Sequence, residues 1–199
     1  MKDSIKLSVL PQSFYHTPTL DLAKALIGKI LVHQTDEGFM GGKIVETEAY
    51  LGITDRAAHS FNNKRTKRTE IMYKTPGHIY MYQMHTHHLL NVVSGEEHNP
   101  EAILIRAVEP VVGRELMEKN RPVQKAANLT NGPGKLTKAF GITMEFYGAS
   151  LTKSKVFISE AREDYVSIKS GPRIGIPNTK EAKDYPYRFW IQDNPYVSR

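Results

Sequence analysis

Apolar residues along this chain fall in short runs, and their spacing changes from helical to alternating several times. Leu20, Ala23, Leu26 and Ile27 repeat at helical spacing behind Thr17-Pro18 and stop at Gly28. This predicts a helix with proline at its first position and glycine past its end. A strand follows over residues 29–34, and Asp36-Glu-Gly38 turns it into a second strand running through Glu48, so the two form a hairpin. Residues 79–93 and 102–108 read as further strands separated by the polar loop 94–100, and residues 62–69 form a polar, basic loop. Helices are expected over 113–120 and 133–140, the second closed by Gly141. Strands return over 156–159, 166–169, 173–176 and 188–192. Strands joined mostly by hairpin-length loops, with a few helices between, predict a single α+β domain over 1–199 built on a curved, largely antiparallel sheet.

One strand stands apart from this plain patterning. In Gly42-Lys-Ile-Val-Glu-Thr-Glu-Ala-Tyr-Leu-Gly52, alternation places Lys43, Val45, Thr47 and Ala49 on one face. Ile44, Glu46, Glu48 and Tyr50 then share the other. Two carboxylates and a phenol on one face make either an exposed acidic edge or a site, and an isolated Glu-x-Glu alone favours the edge.

Composition narrows the partners more than the chemistry. With 27 Lys and Arg against 21 Asp and Glu, the formal charge is +6. A moderate basic excess favours polyanions such as nucleic acid without naming a reaction. The absence of cysteine excludes thiol and disulfide chemistry. No apolar run approaches the roughly 20 residues of a membrane span, and the start Met1-Lys-Asp-Ser-Ile-Lys-Leu7 lacks a secretory apolar core. A cytoplasmic location, with no membrane partner, is the expectation.

The order of several blocks narrows the function. Val45-Glu-Thr-Glu-Ala-Tyr50, Ala57-Ala-His-Ser60, Pro76-Gly-His-Ile-Tyr80, Leu89-Leu-Asn-Val-Val93, Leu104-Ile-Arg-Ala-Val-Glu-Pro110 and Asn131-Gly-Pro-Gly-Lys-Leu136 occur in that order. Together they resemble the alkyladenine (3-methyladenine) DNA glycosylase family in its bacterial form, over most of the chain from about Phe14 to Tyr196. The resemblance implies the same α+β fold with a β-hairpin that protrudes into DNA. It also implies a monofunctional enzyme of base excision repair that extrudes alkylated or deaminated purines from double-stranded DNA and hydrolyses their N-glycosidic bond. The implied substrates are 3-methyladenine, 7-methylguanine, hypoxanthine and ethenoadenine. No cofactor and no metal is implied, and a monomer acting at the nucleoid is the expectation.

The residues of the blocks then take expected roles. Glu48 matches the family's catalytic glutamate, which activates water, and Arg106 matches the arginine that holds the carboxylate or the water. Glu46, on the same strand face, is the internal competitor for the base. Tyr50, His59 and Tyr82 match the walls that sandwich the extruded purine, Asn91 the residue that rejects normal guanine, and Ile174 a lining residue whose carbonyl helps hold the water. Tyr80 and Tyr82 share strand parity, so the residues alone do not divide them. At the hairpin tip many family members carry a tyrosine followed by glycine, where this chain has Met84-His-Thr-His-His88. His85 would therefore be the residue wedged into the duplex, a role apolar and aromatic side chains commonly fill. Lys64, Arg65, Lys67 and Arg68 in the basic loop, and Lys135 at a helix start, are the candidates for the DNA backbone.

Two rival readings stand beside this one. His78, His85, His87 and His88, completed by Glu46 or Glu48, would make a metal hydrolase. A damage-binding module that keeps the pocket without cutting is the other.

Overall fold

The computed structural model describes residues 7–161 and 167–198. Eight strands form one sheet among them, every pair antiparallel, with the order β3-β4-β5-β2-β1-β6 and a β7–β8 pair joined to β2. The strands are β1 (Ile30–Thr35), β2 (Gly38–Tyr50), β3 (Ile79–Met84), β4 (His87–Val93), β5 (Ala102–Val112), β6 (Val156–Ser159), β7 (Ile168–Gly171) and β8 (Arg188–Ile191). Four α-helices accompany them, α1 (Gln12–Tyr15), α2 (Thr19–Ala25), α3 (Arg114–Asn120) and α4 (Pro133–Phe140), with six short 3-10 helices in the loops of the described residues. The α+β class, the curved antiparallel sheet, the β1–β2 hairpin and the helices after Pro18, Gly113 and Gly132 agree with the sequence patterning, and the β3–β4 hairpin with what the resemblance implies.

The longest strand organises the molecule. β2 pairs β5 along nearly its whole length, while β1 covers its other edge up to Lys43 and β8 takes over that edge from Glu46 to Glu48. The sheet therefore branches beside the two glutamates. Strand alternation sorts the two faces. Ile79, Met81, Leu90, Val92, Ile103 and Ile105 pack with Leu22 and Leu26 of α2 and Leu136 and Phe140 of α4 in the main core. Tyr80, Tyr82, Asn91, Ala102, Leu104 and Tyr50 face the other way and line a cavity.

Two opposed bulges adjust this alternation at the site. Ile44 pairs Val108, Glu46 pairs Ala107 and Thr47 pairs Ile105, so Val45 is an extra residue on β2 and Arg106 an extra residue on β5. A bulge re-aims side chains and locally breaks the ladder. Ile44 accordingly joins the main core with Ala49, and does not share the face of the glutamates as strict alternation predicts. Glu46, Glu48 and Tyr50 do stay together. The second bulge turns Arg106 toward both carboxylates.

Two further expectations need correction, and one short helix lies outside the sequence patterning. Residues 173–176 form no strand; the segment bends, with Gly175 at a φ of +80°. The helix α1 was not expected, being a single short turn without a periodic stripe. The strand expected over 166–169 appears as β7, Ile168–Gly171, with Val166 outside the described residues.

Candidate active site

Cross-strand register brings the site residues into rows. Tyr80 lies opposite Asn91, Asn91 opposite Leu104, Leu104 opposite Glu48 and Glu48 opposite Arg188, so one row crosses five strands. The loops after β2 and after β7 then close over the row from either side. The result is a cavity of about 450 Å³ walled by Tyr50, His59, Tyr80, Tyr82, Asn91 and Arg106, with Ile174, His87 and Lys135 at its margins. That volume lies within the range of small-molecule pockets.

Glu48 sits behind the wall and has no exposed surface. Its Oε1 accepts a 2.7 Å hydrogen bond from the Ile174 backbone N–H, and its Oε2 accepts one of 2.8 Å from the Tyr50 hydroxyl. Arg106 Nη1 lies 3.3 Å from the same Oε2. All three groups that hold the carboxylate are themselves cavity residues. Burial and then the adjacent Glu48 push the Tyr50 hydroxyl well above its ordinary range, so the phenol stays a donor to the carboxylate. The resemblance implies a role for the Ile174 carbonyl in holding the water; its N–H, a separate group, is the one that donates to Glu48.

Glu46 has a different environment. Its Oε1 accepts from Arg106 Nε (3.1 Å), Arg188 Nε (2.6 Å) and the Ser198 hydroxyl (2.8 Å), while Oε2 accepts from the Ser198 backbone N–H (2.7 Å). Four donors saturate this carboxylate, and although neither glutamate is itself part of the cavity wall, only Arg106 among the donors to Glu46 lines the cavity. The two glutamates, indistinguishable by residue type, are thus separated by their partners. Nothing in the sequence signals that Ser198 and Arg188 arrive there.

The aromatic wall is keyed by polar contacts. His59 Nδ1 lies 2.7 Å from the Tyr80 hydroxyl, and its ring meets that of Tyr82 edge-on at 4.6 Å between centroids. Burial first, then the charges of Arg68 and Lys64, lower the His59 pKa to about 4. The imidazole is therefore neutral at physiological pH. Burial chiefly, with Glu48 adding to it, raises Tyr82 to about 12. Both tyrosines face the cavity, which parity left undivided: Tyr80 is spent on His59, and Tyr82 is the more exposed. The Asn91 amide nitrogen is held by the backbone carbonyls of Tyr80 (3.1 Å) and Leu89 (3.4 Å), which fixes the side chain at the cavity floor.

A buried ion pair joins the two loops that close the cavity. Arg173 donates to both oxygens of Asp55, at 2.5 and 2.9 Å, and to the carbonyls of Ala49 and Ala182. Its guanidinium lies 4.7 Å from the Tyr50 ring centroid. Asp55 also accepts the backbone N–H groups of Leu51 and Ala57. Asp55 stands in the motif region, yet its partner is 118 residues away, and the expected strand at 173–176 concealed it.

Met84 and His87 of the hairpin and Lys135 line the cavity, and the remaining basic candidates lie on the exposed loop 64–68. His85 occupies the turn between β3 and β4, exposed and with a φ of +53°, a left-handed conformation that non-glycine residues seldom adopt. His87 packs on Gly134, where an added Cβ would lie 2.7 Å from the His87 Cβ and Cγ. Lys135 lines the cavity, its Nζ 2.7 Å from Asn131 Oδ1, with its pKa lowered by burial and then by Arg121. Arg65 is held by a two-point contact with Glu70, 2.9 and 2.7 Å, over the Tyr73 ring. Lys67 and Arg68 are exposed, and their carbonyls accept from the Tyr147 hydroxyl, which fixes the loop. Among the described residues no three His, Asp or Glu side chains gather as a metal site, so the histidine-rich segment does not form the cluster a metal hydrolase needs. No helix of the described residues is long and apolar enough to cross a membrane.

An aromatic-walled cavity of about 450 Å³, backed by a buried carboxylate, has room for a flat ring system of small-molecule size. The comparisons place the chain in a family. The sequence profile of the Methylpurine-DNA glycosylase (MPG) family matches residues 13–195, and the chain belongs to that family. It is 60% identical over 190 residues to a protein of Oceanobacillus iheyensis and 57% identical over 190 residues to one of Bacillus subtilis, with 96% of each chain covered in both cases. A Listeria monocytogenes protein is 51% identical over 93% of this chain and 89% of its own. All three carry the name "Putative 3-methyladenine DNA glycosylase".

Proposed function

We propose that the protein is a monofunctional DNA glycosylase that receives an extruded purine in the aromatic cavity and hydrolyses its N-glycosidic bond with water activated by Glu48. The observation that carries this reading is the buried Glu48 carboxylate, oriented by Ile174, Tyr50 and Arg106 at the back of the cavity. As the glycosidic bond lengthens, positive charge develops on the sugar, and a fixed carboxylate nearby stabilises it. Water adds to C1′ and gives its proton to Glu48, while the base departs with the bonding pair; cationic 3-methyladenine and 7-methylguanine leave as neutral bases, and hypoxanthine and ethenoadenine leave as anions that take a proton from solvent. The products are a free purine and an abasic site. General-base assistance of this kind is worth about 10²–10⁴-fold in rate.

The substrates proposed are 3-methyladenine, 7-methylguanine, hypoxanthine and ethenoadenine in double-stranded DNA. A neutral His59 beside Tyr50 and Tyr82 supports acceptance of cationic alkylated bases, because it adds no positive charge to a wall whose Arg106 is already faced by Glu46 and Glu48. Stacking on such rings contributes about 1–3 kcal/mol per base, which offsets the few kcal/mol that extrusion costs. Asn91, fixed on the floor, is the residue proposed to exclude normal guanine. His85 is the proposed wedge, and Lys67, Arg68 and Lys135, with Arg65 once released from Glu70, are the proposed phosphate contacts. The enzyme would work as a monomer on nucleoid DNA, without a cofactor. Base release from a hypoxanthine duplex, lost in Glu48→Gln with DNA binding kept, tests the reading. Tight lesion binding without release by the wild type would support the damage-binding module instead.

A further inference from the structure

Arg106 is fixed at all three of its nitrogens, and only one of them serves Glu48. Nε donates to Glu46 (3.1 Å), Nη2 donates to the Ser198 hydroxyl (3.1 Å) and Nη1 faces Glu48 at 3.3 Å. The Ser198 hydroxyl in turn donates to Glu46 Oε1 at 2.8 Å, so it accepts from the arginine and donates to the carboxylate that flank it. The Ser198 backbone completes the fastening, its N–H on Glu46 and its carbonyl on Arg188 Nη2 (3.1 Å). Ser198, Glu46 and Arg106 are 6%, 0% and 7% exposed, so water does not substitute for these contacts.

The route by which Ser198 arrives is itself ordered. Asn194 anchors the segment after β8 by donating to Glu109 of β5 at 2.9 Å, and its side-chain oxygen accepts the Tyr196 N–H. The chain then crosses behind the two bulges that turn Val45 and Arg106 out of register. An arginine on a bulge lacks the neighbouring ladder that would hold its backbone and side chain, so its aim depends on what grips the guanidinium.

We infer that Ser198 and Glu46 form a positioning clamp for Arg106, so that the aim of Arg106 on Glu48, and through it the placement of the hydrolytic water, depends on the Ser198 hydroxyl. Ser198 touches no substrate; it acts through Arg106. Glu46 also supplies the charge that keeps Arg106 shared: without it the guanidinium has Glu48 as its remaining carboxylate and shifts toward it. This inference rests on the reading of Glu48 as the base.

The test compares single-turnover base release, with enzyme in excess and saturating, for wild type, Ser198→Ala, Ser198→Thr and Glu48→Gln. Hypoxanthine duplex is the substrate, and lesion-DNA affinity and thermal unfolding are measured on the same preparations. Because a saturating single turnover reports the rate of folded enzyme, a loss of folded fraction does not lower it. The expected result is a fall of about 10-fold or more in the Ser198→Ala rate, the size of one lost charged hydrogen bond. Affinity stays within about twofold, as KD is set by the cavity and backbone contacts, and Ser198→Thr, which keeps the hydroxyl, recovers most of the rate. A Ser198→Ala rate within twofold of wild type, with Glu48→Gln inactive, overturns the clamp and leaves the Glu48 reading standing. An active Glu48→Gln overturns both. A Ser198→Ala variant too unstable to assay is replaced by Ser198→Gly and Ser198→Cys, and equal rates for these and Ser198→Thr overturn the clamp as well.

Discussion

Asp55→Ala should be among the most destabilising single changes outside the apolar core. Asp55 is 2% exposed and Arg173 5% exposed. The carboxylate accepts four hydrogen bonds: two from Arg173 and one each from the Leu51 and Ala57 backbone. Removing it leaves a buried guanidinium whose Nε already has no partner. Breaking a buried pair from one side costs about 3–5 kcal/mol, and 1 kcal/mol shifts Tm by about 2–4 °C in a chain of this size. The expected loss is therefore about 6–20 °C in Tm. The damage should also reach function, because the pair ties the segment leading to Ala57 and His59 to the segment carrying Ile174, and holds the Tyr50 ring from behind. Urea unfolding of wild type and Asp55→Ala, with base release measured well below the transition, reads both effects. A loss below about 1 kcal/mol would refute the reasoning, since it would mean that the pair contributes no more than an exposed one.

Other predictions follow from single features. His59 is held neutral with its pKa near 4, below its ordinary 6.5. The unfolded chain therefore takes up the proton first, and the stability present above pH 6.5 is lost as pH falls toward 4, by up to about 3 kcal/mol; His59→Gln should flatten this part of the stability profile in pH-dependent urea titrations. Gly134→Ala drives a Cβ into His87 and should cost about 1–3 kcal/mol while weakening lesion-DNA binding, measured by fluorescence anisotropy. His85→Gly relieves a left-handed φ and should leave stability equal or slightly higher, yet weaken lesion binding, since the proposed wedge is gone. Lys135 lines the cavity with its amine on Asn131, and borohydride should trap no covalent adduct with an abasic product if the enzyme is monofunctional.

Much of the sheet was legible because it obeys alternation. Tyr80, Tyr82, Asn91 and Leu104 fall on one face and Ile79, Met81, Leu90 and Ile103 on the other, as a period of two requires. The shared face of Glu46, Glu48 and Tyr50 was legible for the same reason. Ile44 was misplaced because a bulge adds a residue that no composition signal marks. The segment 173–176 was misread because Ile-Gly-Ile has strand character, whereas its conformation is set by Arg173 reaching Asp55 and by Ile174 donating to Glu48. Both contacts are tertiary. The same holds for the different partners of the two glutamates, since Arg188 and Ser198 reach Glu46 from the far end of the described chain. The resemblance already favoured Glu48 over Glu46; what the sequence left unread was the set of donors around each carboxylate.

The most direct test of the account is single-turnover base release from hypoxanthine- and 3-methyladenine-containing duplexes by wild type, Glu48→Gln and Glu46→Gln, with lesion binding measured in parallel. The account predicts release by the wild type, and loss of about 10²-fold or more in Glu48→Gln with binding retained. Glu46→Gln should lose stability and part of its rate. Release by Glu48→Gln at the wild-type rate, or by none of the three proteins despite tight lesion binding, would contradict it.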